Sequence, residues 1–482
     1  MRAKRMSVLA MMLATLLSGC GGGGGGGAST ATTTATTAPA SGTVTTAGTT
    51  CSLRDRQDWA ASQLKEWYLF PETLPASLDP TPYANVPDYV DALTATARSQ
   101  RKDRYFTYLT SIAAENAYYD SGSSAGFGIR LSTDAVQRRA FVTEAFEGAP
   151  ALAAGIDRGA EIVAIGNTPQ SLRTVSDMVA ASGTAAVSDA LGPSTAGTTR
   201  TLRIASGGAT RDVTITKTDY ALLPVSSRYG SRILQDAGRQ VGYINLRTFI
   251  STADPALRAA FLQFRQAGIT DFVVDLRYNG GGLVSIAALM GSLLGGNRAV
   301  SDVFAYTSFR PEKAANNSTD HFAAQPQSTS PVRIAFIGTG GTASASELVI
   351  NAFPPFLHAK AGLIGTNTYG KPVGQIALDR TACDDRLRVI AFATSNAART
   401  GGYYDGLAGV MEASCQAKDD LAYQLGDPQE ASLAQALGFL DGRSCAAIPT
   451  GAVAQAASGE GRRLLLSPDR PDTAQREVPG LY

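Results

Sequence analysis

Residues 333–350 read RIAFIGTGGTASASELVI, and this stretch decides the fold class. An apolar run typical of a buried strand leads into a glycine turn, and a helical pattern begins directly after it. Two earlier runs, QVGYINLRTF at 240–249 and DFVVDLRYNGGG at 271–282, also end in polar residues and turns. Strands that alternate with helical stretches predict an α/β core. The residues after the second run place apolar side chains on one helical face, which predicts core packing: Leu283, Ile286, Ala287, Met290, Leu293 and Leu294.

The turn within residues 333–350 suits a serine nucleophile. Where a strand end leads into a tight turn and a helix N-terminus, a side chain is exposed and unpaired backbone N–H groups lie nearby. Ser344 and Ser346 are both candidates. Either serine could instead cap the helix.

A serine hydroxyl is a poor nucleophile unless a base lies beside it. The 482 residues include two histidines, His321 and His358, and neither lies in a turn that looks like a site. A lysine can act as the base if it is kept neutral, which directs attention to Lys371.

Lys371 lies in GTNTYGKPVGQ, residues 365–375, which has the G-x-x-x-x-G-K spacing of a phosphate-binding loop. Such a loop needs a Ser or Thr after the lysine to hold Mg²⁺, and Pro372 stands there, so we expect no nucleotide. As a base, the amine needs a pKa several units below its usual value of about 10.4, which requires burial. Its neighbours predict an apolar pocket with no adjacent acid: Ile364, Tyr369 and Val373.

The composition excludes two classes of partner. Lys and Arg number 42 against 41 Asp and Glu, which leaves a formal charge of +1. No sequence-wide charge therefore favours nucleic acid or an acidic membrane surface. The chain has no C-x-x-C pair, so we expect no metal site, and no motif points to a cofactor.

The first 20 residues have the layout of an export signal. Arg2, Lys4 and Arg5 precede the apolar run MSVLAMMLATLLS, which is too short to span a bilayer comfortably. The sequence LLSGC, ending at Cys20, resembles the lipobox of bacterial lipoproteins. This resemblance implies lipidation of Cys20 and export to the periplasmic side of the outer membrane. Residues 21–50, which are rich in Gly, Ala and Thr, predict a flexible tether.

Four cysteines remain beyond Cys20, and an even number in an exported chain suggests up to two disulfides. Three pairings are possible, and the spacing does not choose among them. We expect Cys383 to pair with Cys415 and Cys51 to pair with Cys445.

The chain after the tether divides into four predicted parts. Residues 51–121 carry apolar residues three and four apart, which predicts a small helical domain with no visible chemistry. Residues 122–218 predict a β-rich domain, and residues 219–440 hold the α/β core. Residues 441–482 predict an extended or disordered tail. The polar insert at 310–331 could be a lid or a disordered loop, and we favour the loop.

The β-rich part resembles a PDZ domain. Residues 126–129, GFGI, match the carboxylate-binding loop of that domain, and GAPALAAGIDRGAEIVAIGN at 148–167 matches a second segment typical of it. The resemblance implies that backbone N–H groups of Phe127, Gly128 and Ile129 hold the terminal carboxylate of a peptide that adds a strand beside the sheet.

Three blocks, DLRYNGGG, TASASE and YGKPVGQ, occur in this order and resemble the signature blocks of the carboxyl-terminal processing proteases, or tail-specific proteases. The resemblance covers residues 60–440. It implies a Ser-Lys dyad in a core of crotonase-like β/α layers. One departure is the pair of prolines at 354–355, which interrupts the helix after the serine where relatives tend to continue it.

Carried over by position, the resemblance implies that Ser344 is the nucleophile, Lys371 is the base and Gln375 orients the amine. It further implies an oxyanion hole, formed by the backbone N–H of Ala345 and one N–H from Gly280 or Gly281.

The expected function is that of a lipid-anchored serine endopeptidase that cuts exported polypeptides near their C-termini. The alternative is a PDZ-bearing binding or adaptor lipoprotein with a silent protease core. The intact set of Ser344, Lys371 and Gln375 argues against that alternative. Esterase or amidase chemistry on the same dyad is a third hypothesis, which the peptide-binding domain disfavours.

Overall fold

The computed structural model describes residues 51–450 and 463–482, which belong to one structural unit. The predicted signal peptide (1–20), its lipidation residue Cys20 and the predicted tether (21–50) lie outside the described residues. The described residues combine helices with parallel and antiparallel sheets, which confirms the predicted α/β class.

The part predicted to be helical, residues 51–121, contains a strand as well. This strand pairs antiparallel with residues 385–388, so backbone hydrogen bonds join this part to the core. The helical prediction is incomplete here because the pairing partner is distant in sequence. The elements are α1 (Leu53–Trp67), α2 (Val86–Leu93), α3 (Ala95–Ser99), β1 (Tyr108–Ser111) and α4 (Ile112–Ser121).

Residues 123–221 form a second region, here called the sheet domain. Its strands are β2 (Ser123–Gly126), β3 (Ile129–Asp134), β4 (Arg139–Ala145), β5 (Glu161–Gly166), β6 (Arg173–Thr174), β7 (Thr199–Ser206), β8 (Ala209–Thr216) and β9 (Thr218–Ala221). Its helices are α5 (Pro150–Ala153), α6 (Val175–Ser182) and α7 (Ala185–Leu191).

Strand β3 of the sheet domain is buried along its whole length and pairs antiparallel with β4 on one side. The order continues from β4 through β5 and β7 to β8. Apolar side chains of these strands pack against α6 and α7, whose buried residues include Met178, Val187 and Leu191. One edge of β3 therefore faces away from its own sheet.

The core follows from residue 231. Its strands are β10 (Ser231–Asp236), β11 (Arg239–Asn245), β12 (Asp271–Asp275), β13 (Val303–Phe309), β14 (Ser318–His321), β15 (Arg333–Gly338), β16 (Ala361–Gly365), β17 (Val373–Arg380), β18 (Asp385–Ser395) and β19 (Ala413–Gln416). Its helices are α8 (Ala253–Gln266), α9 (Val284–Leu294), α10 (Ala345–Ala352), α11 (Pro354–Leu357) and α12 (Ala431–Leu440).

A six-stranded sheet organises the core, in the order β10-β11-β12-β15-β16-β19. The pairs from β11 to β19 are parallel, and β10 is antiparallel at the edge. Apolar residues of one face pack with α8, α9 and α10, whereas α12 packs with those of the other. Helices on both faces explain why these strands are apolar without alternation. The predicted apolar face of α9 lies in this core, as expected.

Helix α10 ends at Ala352, and Pro354 and Pro355 begin the short helix α11. The predicted interruption is therefore confirmed. A proline lacks the N–H that would continue the ladder, so the helix cannot extend through this pair.

The prediction of a disordered loop at 310–331 is wrong. Residues Pro311–Asn316 form a 3₁₀ helix, and β14 pairs antiparallel with β13. Phe322 is buried against aromatic side chains of the core. The segment is held in place by one buried aromatic residue and by strand pairing. Its polar composition therefore did not indicate that it is ordered.

The prediction of an extended or disordered tail at 441–482 is wrong in part, because residues 463–482 include a helix and pack against the rest of the chain. Residues 463–482, here called the 463–482 segment, contain strand β20 (Arg463–Leu465) and helix α13 (Thr473–Glu477). Five of its apolar side chains are buried: Leu466, Ala474, Val478, Leu481 and Tyr482. The segment is ordered because it packs against distant parts of the chain, and its own composition does not reveal those contacts.

The disulfides differ from the predicted pairing. Cys51 is bonded to Cys383, and Cys415 is bonded to Cys445. The first bond ties the residue before α1 to the turn between β17 and β18, and the second ties β19 to the residues after α12. The predicted pairing is wrong because the actual partners are set by which turns the folded chain brings together, and the spacing of the cysteines does not show this.

Candidate active site

Ser344 lies in the turn between β15 and α10, in a conformation with φ of 55° and ψ of −115°. A positive φ is uncommon for a residue with a side chain, and such backbone strain clusters at functional sites. Ser344 is half-buried, whereas its neighbours Ala343 and Ala345 are buried. The other candidate, Ser346, is fully buried and donates its hydroxyl hydrogen bond to the Asn279 carbonyl at 2.9 Å. Ser344 is therefore the serine that the turn presents.

The carboxylate of Glu347 joins the serine turn to the lysine loop. One oxygen accepts from the N–H of Lys371 at 2.7 Å and from the N–H of Ser344 at 3.1 Å. The other accepts from the N–H of Gly370 and the hydroxyl of Thr368. Burial raises the pKa of Glu347, and these donors oppose that shift. The sequence reasoning did not single out Glu347, although it lies at the end of the TASASE block.

Lys371 lies in the loop between β16 and β17, and its Nζ donates to Gln375 Oε1 at 3.0 Å. The ring of Phe106 lies beside the amine, with its centroid 5.0 Å from Nζ. Burial lowers the pKa of Lys371, because removal of water disfavours the ammonium form, and the carboxylate of Glu477 opposes this shift. The amine is buried, as predicted, but Glu477, an acid distant in sequence, also acts on it.

The residues just before β1 hold the lysine loop in place. Gln375 donates through Nε2 to the Phe106 carbonyl, and Arg104 donates to the carbonyl of Tyr369 at 2.8 Å. No sequence motif in residues 51–121 indicates chemistry. No local pattern marks Arg104 or Phe106, so their contribution appears only in the folded chain.

The glycine run places two backbone groups near the serine. The N–H of Gly280 donates to the Glu477 carbonyl at 2.9 Å, and the N–H of Gly281 donates to the Asn279 side chain at 3.0 Å. A Cβ atom on Gly281 would lie 3.2 Å from both the Ser344 hydroxyl oxygen and the Ala345 nitrogen. Only a glycine at 281 therefore allows this close approach. Of the two predicted glycine donors, Gly280 is the one that faces the cleft.

Among the described residues, no hydrogen bond joins the Ser344 hydroxyl to the Lys371 amine, which bonds to Gln375 instead. A cavity of about 1360 Å³ lies beside Lys371, and its walls include Gly280 and Ala343, the residue before Ser344, together with Arg476 and Glu477. The cleft is thus shared between the core and the 463–482 segment.

A comparison with known protein families matches part of the chain. Residues 240–397 match Peptidase family S41. The matched range contains Gly280, Ser344, Lys371 and Gln375. The region is called the S41-like core below.

Two curated relatives are carboxyl-terminal processing enzymes. The chain is 29% identical over 278 residues to the chloroplastic C-terminal processing peptidase of Tetradesmus obliquus, which covers 54% of each chain. It is 25% identical over 255 residues to the carboxyl-terminal-processing protease of Synechocystis sp., which covers 52% of this chain and 54% of the relative. The chain thus spans about half the length of these curated relatives.

A solved structure of an S41 protease candidate from Bacteroides fragilis is similar to this chain with a TM-score of 0.60. The sequences are 23% identical, and the match covers 80% of this chain and 97% of the other. This likeness shows an S41 protease-like fold.

The sheet domain places the predicted carboxylate loop against the last residue of the sequence. The N–H of Gly128 donates to the Tyr482 backbone oxygen at 2.9 Å, and the N–H of Ile129 donates to the same oxygen at 3.2 Å. Phe127, the third residue of the predicted loop, has a fully buried ring, and its carbonyl accepts from the N–H of Ala151.

The remaining predicted features lie away from the cleft. His321 contacts the Ser301 carbonyl and His358 contacts Glu412, and both histidines are exposed. In residues 51–450 and 463–482, no cluster of three or more His, Cys, Asp or Glu side chains could hold a metal ion. None of the helices described by the structure has the length and apolar character needed to cross a bilayer.

Proposed function

We propose that this protein is a serine endopeptidase that cuts polypeptides near their C-termini, with Ser344 as nucleophile and Lys371 as general base. One observation carries the proposal most strongly: the Glu347 carboxylate accepts from the backbone N–H groups of both residues. The strained turn of Ser344 and the loop of the buried Lys371 are thereby fixed relative to each other by one carboxylate. The similarity of the S41-like core to carboxyl-terminal processing enzymes supports the same reaction.

In the proposed first step, neutral Lys371 accepts the proton of the Ser344 hydroxyl, and the serine oxygen attacks a peptide carbonyl carbon. The N–H groups of Gly280 and Ala345 stabilise the oxyanion, at roughly 3 kcal/mol per donor. The Lys371 ammonium then protonates the leaving amine. Water, deprotonated by the same amine, hydrolyses the acyl-enzyme and restores the serine.

Gln375 orients the lysine amine in this proposal. Its side-chain oxygen accepts from Lys371 Nζ, and its amide nitrogen is held by the Phe106 carbonyl. Because the amide is neutral, it can hold the amine without favouring the ammonium form as a carboxylate would. The lysine must turn from Gln375 towards the serine hydroxyl, a tightening that catalytic hydrogen bonds often undergo in the substrate complex.

The sheet domain acts as a PDZ domain in this proposal. The convergent N–H groups of Gly128 and Ile129 suit one end of a terminal carboxylate, and the edge of β3 accepts an added strand. Cys20 anchors the exported protein to a bacterial membrane through a lipid, with residues 21–50 as the tether. The two disulfides favour an oxidising compartment such as the periplasm.

Cleavage of an unfolded protein substrate with a free C-terminus tests the reaction. We expect Ser344→Ala and Lys371→Ala each to reduce kcat/KM by about three orders of magnitude or more, because a dyad acts as a unit. Lys360→Ala, which removes an exposed lysine, is the matched control and should leave cleavage unchanged. Wild-type turnover by the Lys371→Ala protein would rule out the assigned base.

The adaptor alternative is not favoured, because the chain retains all members of the proposed site and resembles active peptidases. An adaptor would bind the same substrate without new N-termini appearing in a peptide map.

A further inference from the structure

The 463–482 segment binds the sheet domain as a peptide ligand would. Residues Arg463–Leu465 pair antiparallel with Ser132–Asp134 on the free edge of β3. Further along the same edge, the N–H of Leu131 donates to the Gly480 carbonyl at 2.8 Å, and the N–H of Tyr482 donates to the Ile129 carbonyl at 2.9 Å. The edge that would receive an added strand is therefore already paired.

The side chain of Tyr482 fills the groove between β3 and α7. It is 2% exposed and belongs to the same buried cluster as Val187 and Leu191 of α7. Its hydroxyl donates to the Ser188 hydroxyl at 2.8 Å. Together with the N–H groups of Gly128 and Ile129, which donate to the Tyr482 backbone oxygen, these contacts define a site for an aromatic side chain and the backbone oxygen of the same residue.

Between its two contacts with β3, the segment leaves the sheet domain and enters the catalytic cleft. The Glu477 carbonyl accepts from Gly280, and the Glu477 carboxylate accepts from the Tyr119 hydroxyl at 3.0 Å. Arg476 donates to the Tyr105 carbonyl at 3.0 Å. Arg470 forms ion pairs with Asp88 and Asp91 of α2, which fix the far end of this loop.

The docked segment blocks the reaction rather than presenting a bond for it. Its carbonyl uses the Gly280 donor, while the N–H of Val478 donates to the Ala474 carbonyl within a helical turn. A helical turn has its backbone groups engaged internally, so it cannot add beside the cleft as an extended strand does. The Glu477 charge also opposes the lowered pKa of Lys371 and so favours the inactive ammonium form.

We propose that the 463–482 segment is a ligand in cis that fills both the PDZ-like groove and the catalytic cleft, and that polypeptides ending in an aromatic residue with a free carboxylate displace it. This inference deepens the proposed function and relies on it for its consequence, which is the opening of the cleft. It names the substrate class by chemistry: an aromatic last residue for the Tyr482 site and a carboxylate for the two N–H donors.

Binding tests the occupancy without requiring activity. A fluorescein-labelled peptide with the sequence REVPGLY and a free carboxylate is titrated into the full chain carrying Ser344→Ala. The same titration is repeated after adding Tyr482→Ala, which empties the aromatic site. We expect the protein with Tyr482→Ala to bind the peptide at least about tenfold more tightly. When the chain's own segment occupies the groove, the apparent affinity for the peptide falls in proportion to the fraction of molecules whose groove is free. Val300→Ala, which truncates a side chain that is 82% exposed, is the matched control and should not change the affinity.

The carboxylate and the cleft are tested separately. The amidated peptide should bind at least about tenfold more weakly, because two N–H donors lose an anionic partner. Hydrogen exchange on the Ser344→Ala protein should show faster exchange in residues 470–479 when the free peptide is added, and no change with the amidated peptide. This arm uses the unaltered segment, so it does not depend on the folding of a tail variant.

Equal affinity with and without Tyr482→Ala, or unchanged exchange at 470–479 with saturating peptide, overturns the inference. The proposed function fails in a different way: no variant cleaves any substrate, while the differences in binding and exchange remain. When both hold, Tyr482→Ala on the catalytically intact chain cleaves a quenched peptide lacking an aromatic end faster than the unaltered chain does.

Discussion

Glu347 illustrates how one buried residue can position both members of the proposed dyad, Ser344 and Lys371. Its carboxylate accepts from a side-chain hydroxyl and from three backbone N–H groups, so its charge is compensated without a cation. A buried carboxylate paired with a nearby lysine would instead stabilise the ammonium form and weaken the base. Backbone donors hold the loop of Lys371 in place and leave the amine free of a close ion pair.

The pH dependence of activity should follow the charge on Lys371. Because burial lowers its pKa, kcat/KM should rise with pH as the amine loses its proton around that lowered value. The charged groups that act on the amine are Glu477 and Asp103, which raise its pKa, and Arg476 and Arg388, which lower it. Replacement of Glu477 by Gln removes a charge that favours the ammonium, so the rising limb should move to lower pH.

The measurement is kcat/KM against pH for the unaltered chain and for Glu477→Gln. Asp379→Asn is the control, because Asp379 pairs with Arg386 on the antiparallel sheet and is not among the main groups that shift the pKa of Lys371. A limb that moves to higher pH in Glu477→Gln would contradict the assignment of Lys371 as the base.

At the scale of elements, the loop before β1 completes a site that the S41-like core only begins, and helix α13 covers that site. The Phe106 carbonyl fixes Gln375, and α13 occupies the cleft in front of Gly280. Strand β1 holds the loop because it pairs with β18, which follows directly from β17 and Gln375. Pairing between distant strands thus determines the geometry of the lysine.

The two disulfides should stabilise the fold by different amounts. Cys51 and Cys383 are 332 residues apart, whereas Cys415 and Cys445 are 30 apart. In the chain-entropy account, removing the long-range bond costs about 6 kcal/mol and removing the short-range bond costs about 4 kcal/mol. Guanidinium unfolding of Cys51→Ser/Cys383→Ser and of Cys415→Ser/Cys445→Ser compares them. A larger loss from the second pair would show that local geometry outweighs loop closure.

At the scale of the whole molecule, the 463–482 segment shows how many residues separate the groove of the sheet domain from the cleft. Five residue steps separate the backbone oxygen held at Gly128 from the carbonyl held at Gly280, because 482 − 477 = 5. We expect a substrate docked in the same groove to be cut first within about five residues of its end, since an extended chain covers up to about 3.6 Å per residue and so spans the same distance with as many residues or fewer.

Peptides of increasing length that end in VPGLY test this reach by mass spectrometry of the products. Peptides ending in VPGLF control for the hydroxyl contact with Ser188. First cuts at the last or second-to-last bond would show that the groove does not hold the substrate during cleavage.

Much of the site could be predicted from the sequence because its signals are local. The apolar strand, the glycine turn and the helix start place Ser344, and the GK turn places Lys371 and Gln375 a few residues apart. The local pattern alone left both Ser344 and Ser346 as candidates, and the family resemblance implied Ser344; in the structure the two differ in burial and backbone conformation. The choice between Gly280 and Gly281 likewise depends on which N–H the Asn279 side chain already binds.

The sequence by itself determined the α/β class and the two candidate serines of the glycine turn, and its resemblance to known sequence blocks implied the other residues proposed for the cleft and the Gly128 loop. Periodicity, glycine turns and residue type act over a few positions, so a linear reading captures them. Only the tertiary structure decided the disulfide partners, the order of residues 310–331, the support from Arg104 and Phe106, and the docking of the 463–482 segment. Each of these depends on burial and pairing between parts of the chain that are far apart in sequence, and such contacts leave no mark in local composition.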